Sequence, residues 1–181
     1  PNIGDVLIDQ LTLEKAFEKI KSSCLSKYSN AKIYITLKSL RKFKIQVIGH
    51  VSKAGFITVD ALTRISDVYN IITNGEYSDN IFNTVSSKIS LRNINLKRDD
   101  GSILKLDLLR YFYTGDKLHN PVIKQGDRVH FGLIDSHISI KGGVKLPGKY
   151  EYVENESLIE LITICGGFTE NADSNYIELF R

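Results

Sequence analysis

The 181-residue chain is 42% hydrophobic and 25% charged, with a formal net charge of +3. This is ordinary globular composition, enough for one large domain or two to three small ones, and the charge is too mild to imply a nucleic-acid partner by itself. No run of about 18 apolar residues occurs, so no transmembrane helix is predicted. The chain begins at Pro1 without a Met or a signal-peptide pattern, and is expected to be a piece of a longer protein whose targeting signal lies elsewhere.

In chain order, IGDVLI (3–8) is predicted to be a short strand. Residues 12–29 follow as a helix: Thr12 is its N-cap, and Leu13, Ala16, Phe17, Ile20, Cys24 and Leu25 recur at helical spacing. AKIYITL (31–37) alternates, with Ile33, Ile35 and Leu37 on one face, and reads as a half-buried strand. Next comes the densest basic run, Lys38 to Lys44, expected to be a solvated strand end. Residues 45–59 predict a β-hairpin turning at Ser52–Gly55, and Ile65, Val68, Ile71 and Ile72 a helix with Gly75 as its C-cap. Residues 76–88 are polar and loop-like. Two strands, 94–98 and 103–108, flank a turn at Asp99-Asp100-Gly101, and a short strand follows Gly126-Asp127.

GGVKLPGKY, which ends at Tyr150, has the glycine and lysine spacing of a phosphate-binding loop. Tyr150 occupies the position where such a loop needs Ser or Thr for Mg²⁺. The segment after it, KYEYVE, has strand character, whereas phosphate is held at a helix N-terminus. The stretch is better explained by a repeat. IQVIGHVSKAGFITV (45–59) matches ISIKGGVKLPGKYEYV (138–153), pairing Gly49 with Gly142 and Gly55 with Gly148. DVYNIITNGEYS matches SLIELITICGGFT, and INLKR matches YIELFR, at an offset of about 90 residues. Val-x-x-Pro-Gly then reads as a turn in which Pro fixes φ and Gly permits positive φ.

The order V-x-G-x-V-x-x-P-G-x-Y, an aliphatic helix ending A-G-G-x-T, x-L-x-R-x-D-G, and N-P-x-x-x-x-G-D resembles the soluble-ligand-binding β-grasp (SLBB) domain. The first copy reads VIGHVSKAGFI, IITNGEYS, INLKRDDG and NPVIKQGDRVHF; the second reads IKGGVKLPGKY, LITICGGFTENA and YIELFR, without later strands. The N-terminal part looks like the end of a polysaccharide-export domain, and the order is similar to outer-membrane polysaccharide export proteins. The resemblance implies an α+β fold: tandem small β-grasp-like domains, each a mixed sheet with one packed helix, preceded by a partial α+β export domain. The expected boundaries are 1–42 for the export part, 43–135 for the first SLBB domain and 136–181 for an incomplete second one. In the first copy Ala54 replaces the usual Pro, Asn74-Gly75-Glu76 replaces Gly-Gly, and about eight extra residues near 79–88 are expected to form a surface loop, with a subunit contact as the alternative.

The resemblance further implies a non-catalytic ring or conduit subunit on the periplasmic face of the outer membrane of a Gram-negative bacterium. Its implied partners are copies of itself, a polysaccharide and an inner-membrane polysaccharide co-polymerase. The alternative is a monomeric SLBB module binding a soluble ligand or glycan fragment. Lys53, Arg98, Lys145 and Tyr150 are the candidate glycan or lumen contacts, because the repeat places them at or near loops; Gly49, Gly55, Gly142 and Gly148 are the structural turns. No catalytic set, metal site or cofactor is expected. His50, His119, His130 and His137 are scattered, with His130 pointing to solvent, and Asp99-Asp100 is explained by its turn. Cys24 and Cys165 lie outside any C-x-x-C and are expected to be buried free thiols, with one disulfide between them as the alternative. Nucleic acid is not an expected partner, since no aromatic platform accompanies the basic run.

Overall fold

A computed structural model of the chain describes residues 3–73, 88–173 and 176–178. Among these residues the chain divides into two compact units, Pro1–Leu40 and Arg41–Arg181.

In the first unit, helix α1 spans Leu13–Lys27. Thr12 caps it by accepting the Lys15 amide at 3.3 Å, which satisfies one of the free N–H groups of the first turn. The two flanking strands expected from the sequence do not form. Residues 3–8 and 31–37 pair with no other strand among the described residues, and Tyr34 is 87% exposed. Alternation alone does not make a strand; a ladder partner must satisfy the backbone.

The second unit is α+β and β-grasp-like. Its main sheet has β1 (Lys42–Gly49), β2 (Gly55–Asp60), β3 (Ile89–Lys97), β4 (Ile103–Leu106) and β5 (Arg128–Leu133) in the order β2-β1-β5-β3-β4. Strands β1 and β5 run parallel; the other neighbours are antiparallel. Helix α2 (Ile65–Ile72) lays Ile65, Val68, Tyr69 and Ile72 into a core with Ile45, Val47, Ile94, Leu96, Val129 and Phe131. Burying each such side chain contributes about 1.5–3 kcal/mol, so this face of the sheet carries much of the fold. The other face stays in solvent, including His130, as expected. The predicted Gly75 cap and most of the 76–88 loop, with all but Lys88 of the expected insert, lie outside the described residues.

A third helix, α3 (Leu108–Thr114), was not expected. Strand β4 ends at Leu106, and Asp107 caps the helix by accepting the Arg110 amide at 2.8 Å; Gly115 ends it at φ 71°.

Strands β6 (His137–Ile140) and β7 (Gly148–Glu151) then pair, followed by α4 (Leu158–Ile164). Their register repeats that of the first hairpin: Ile140 faces Gly148 as Val47 faces Gly55, and Ile138 faces Tyr150 as Ile45 faces Ile57. Gly148 and Lys149 therefore open a strand, so the phosphate-loop spacing has no helix behind it. Residues 176–178, within YIELFR, pair with no strand among the described residues.

Of the four turn glycines, Gly49 (φ 121°), Gly55 (φ 117°) and Gly142 (φ 89°) use the left-handed region. Gly148 does not, which corrects the expectation that its turn needs positive φ there. After α4 the chain reverses at Gly166 (φ 78°) and Gly167 (φ 86°), and the carbonyls of Cys165 and Gly167 accept the amides of Leu146 and Lys145, each at 3.0 Å. The Gly-Gly after the helix thus fastens the turn between β6 and β7.

Candidate functional site

The family-like motif residues of the first copy have architectural work. Asn120 is fully buried; its carbonyl oxygen accepts the Ser66 amide at 3.0 Å and its amide donates to the Ser66 hydroxyl at 3.0 Å. It therefore satisfies the open N-terminus of α2 from a distant loop. Asp127 accepts the Lys124 amide at 2.7 Å and pairs with Arg98 at 2.5 Å. Asp100 accepts the Ser102 amide at 2.8 Å, which holds the β3–β4 turn.

A buried polar joint connects β3 with β7 and the turn before α4. The register of β3 against β5 shifts between Ile89 and Ile94, and Ser90, Leu91 and Arg92 lie in that interval. Arg92 is at its centre. Its Nε donates to Asp107 at 2.9 Å, Nη1 donates to the Glu151 carbonyl and to Glu156 at 2.8 Å each, and Nη2 pairs with the second Glu156 oxygen. Glu151 accepts from the Ser90 hydroxyl and from the Leu91 amide, the latter at 3.2 Å. The Ser90 oxygen in turn accepts the Arg92 and Asn93 amides at 3.0 and 2.6 Å.

The side chain of Arg92 is 4% exposed and that of Glu156 6%. Burial works against the Arg92 charge, but Glu156 and Asp107 more than offset it and its pKa rises. Burial also raises the Glu151 carboxyl, with Ser90 and Arg92 resisting. The joint fixes geometry, since planar guanidinium forks accept little displacement. Nearby, Arg110 and Glu160 pair at 3.3 Å but are nearly half exposed, and such a pair contributes little.

An apolar seam runs alongside. Val144, Tyr150, Ile164 and Cys165 belong to the same core cluster as Leu108, Leu109 and the residues beneath α2. Tyr150 donates to the Leu146 carbonyl at 2.5 Å, and burial, then the nearby Cys165, push its phenol up to about 12. Cys165 is free and buried, and burial raises its thiol. Cys24 is also free but only half-buried, less enclosed than expected.

The structure does not gather the four sequence-chosen contacts. Lys53 is exposed in the β1–β2 turn, and Lys145 is exposed in the β6–β7 turn. Arg98 points inward, its guanidinium held by Asp127 and by the Val122 carbonyl at 3.1 Å. Tyr150 is 5% exposed, with no open ring face for a sugar. Both are corrected to structural residues. Of the exposed cations on the outer face of the main sheet, Lys42 and Lys44 lie in the basic run noted from the sequence, whereas Lys97, Lys105 and Arg128 were not singled out.

His119 is engaged locally, its Nδ1 accepting the Asp107 amide at 3.2 Å. Among the described residues no three His, Cys, Asp or Glu side chains converge as a metal-binding group. No helix among them is long and apolar enough to cross a membrane. In comparisons with known proteins, the SLBB domain family matches residues 138–181. None of the curated proteins matches the chain.

Proposed function

We propose that this chain is the periplasmic portion of a capsule or exopolysaccharide export protein, a non-catalytic ring or conduit subunit that guides glycan to the outer membrane. The observation that carries the reading is the SLBB match at 138–181. The first copy, with its β-grasp-like sheet and matching hairpin register, is then a second domain of the same kind, and the N-terminal unit is the end of the export domain. Its partners are further copies of itself, the polysaccharide and an inner-membrane co-polymerase.

The mechanism is passive. A hydrated polymer moves past fixed polar surfaces, and the subunit must hold those surfaces still. The Arg92 joint and the shared core supply that rigidity, because two domains joined by a continuous core do not hinge freely. Lys53 and Lys145, exposed in equivalent turns, are the lumen contacts that remain.

Light scattering of the 181-residue chain over a wide concentration range tests the assembly. A closed oligomer of one defined mass is expected, since heterologous contacts in a ring must close. A monomer at every concentration contradicts it and favours a monomeric module for a soluble ligand.

A further inference from the structure

The helix-free face of the main sheet is basic. Along β1 it presents Lys42, Lys44, Gln46 and Ile48; on β5, Arg128 and His130; on β3, Lys97 and Asn95; and on β4, Lys105 and Ile103. The registers align these positions in rows. Gln46 faces Arg128, Arg128 faces Lys97, and Asn95 lies between His130 and Lys105. Neighbouring strands are about 4.8 Å apart and same-face residues about 7 Å apart along a strand, so the cations share one face of the twisted sheet at regular spacing. Lys42, Lys44, Lys97, Lys105 and Arg128 are all exposed.

Among the paired strand residues of this face, one is a carboxylate. Asp60 lies across from Lys42 at the sheet's edge, where its oxygen also accepts the Leu62 and Thr63 amides. Among the described residues none of the five cations has a carboxylate within ion-pair distance. Like charges directly opposite each other destabilise a sheet, yet Arg128 and Lys97 are held in that position. A net charge of only +3 does not produce such a face by composition; it is segregated.

We propose that this sheet face is the binding surface for an acidic polysaccharide, with carboxylates spaced along the polymer meeting Lys42, Lys44, Arg128, Lys97 and Lys105. Charge complementarity commits it to a polyanion. Gln46 and Asn95 supply neutral donors and acceptors for hydroxyl groups. Phe56, 72% exposed and opposite Gln46, flanks the grid with an apolar ring for a sugar's C–H face. Single-stranded nucleic acid fits less well: it needs successive aromatic platforms, and the rows hold only His130 besides the edge Phe56. The inference rests on the glycan-handling reading and names its substrate class.

Binding of the 181-residue chain to immobilised polygalacturonate, neutral dextran and single-stranded DNA tests it. We expect binding to polygalacturonate that weakens with added salt, and none to dextran. Lys97→Gln with Arg128→Gln should lower that affinity at least about tenfold. Lys117→Gln with Lys149→Gln, exposed lysines outside the main sheet, should leave it unchanged, and circular dichroism confirms that both variants fold. Tighter binding to DNA, absence of polygalacturonate binding, or affinity that survives the Lys97 and Arg128 changes would overturn the proposal. Equal binding to dextran would overturn the acidic preference while leaving glycan handling intact. The mass measurement is independent of every one of these outcomes.

Discussion

Arg92→Ala should cost the fold about 3–5 kcal/mol, read as a fall in the denaturant midpoint. The change leaves Glu156 and Asp107 without their ion-pair partner and removes the nearby positive charge that holds the buried Glu151 carboxyl down. Removing one member of a buried ionic group is costly because the remaining charges keep their desolvation penalty. The deficit should also depend on pH. Burial already raises Glu151 above 4.5, and loss of Arg92 raises it further. A carboxyl with a raised folded pKa is most compatible with the fold when protonated. Its contribution is fully present below the unfolded value and is lost as pH rises through the folded one. The Arg92→Ala deficit should therefore be smaller in mild acid than at neutral pH. Replacing Arg92, Glu151 and Glu156 together with Met, Gln and Gln should recover part of the loss, since it removes the orphaned charges. A loss below about 1 kcal/mol would mean that the joint behaves like a surface pair.

The second large effect separates two glycines that the repeat treats as equivalent. Gly49→Ala should destabilise by at least about 3 kcal/mol, whereas Gly142→Ala should cost about 1–2 kcal/mol. Both have positive φ, which L side chains adopt only with strain. At Gly49 a Cβ would also meet the Phe131 carbonyl oxygen at 2.2 Å, because β1 runs against β5 there. At Gly142 a Cβ would meet nothing within 4 Å. Equal losses by urea unfolding would contradict the close approach of these two strands. Gly148→Ala, at ordinary φ with its Cβ 3.5 Å from the Tyr150 ring, should be nearly neutral.

What the sequence revealed depended on range. The hairpin at 45–59, the helix beginning at Ile65 and the Asp99–Gly101 turn were legible because their signals are local: alternation, helical spacing and a turn triplet. Helix α3 was equally local, bracketed by Asp107 and Gly115, but a single polar residue, Asp107, separates LLRYFYT from the strand, which hides the change of period. Arg98 and Tyr150 were misassigned by one residue. Parity along β3 puts Lys97 outside and Arg98 within reach of Asp127, and parity along β7 puts Tyr150 against Ile138 in the core. The Arg92 joint was not legible, because its partners Glu151 and Glu156 lie about sixty residues away and no local pattern binds them. The basic grid needed the strand order, since β1, β5, β3 and β4 are adjacent in space but not in sequence.

The proposed role is tested most directly in cells by measuring surface polysaccharide when the gene for this protein is deleted and then restored. The account predicts loss of polymer from the surface, its retention inside the envelope with synthesis of precursors intact, and recovery on restoration. Unchanged surface polymer would contradict it.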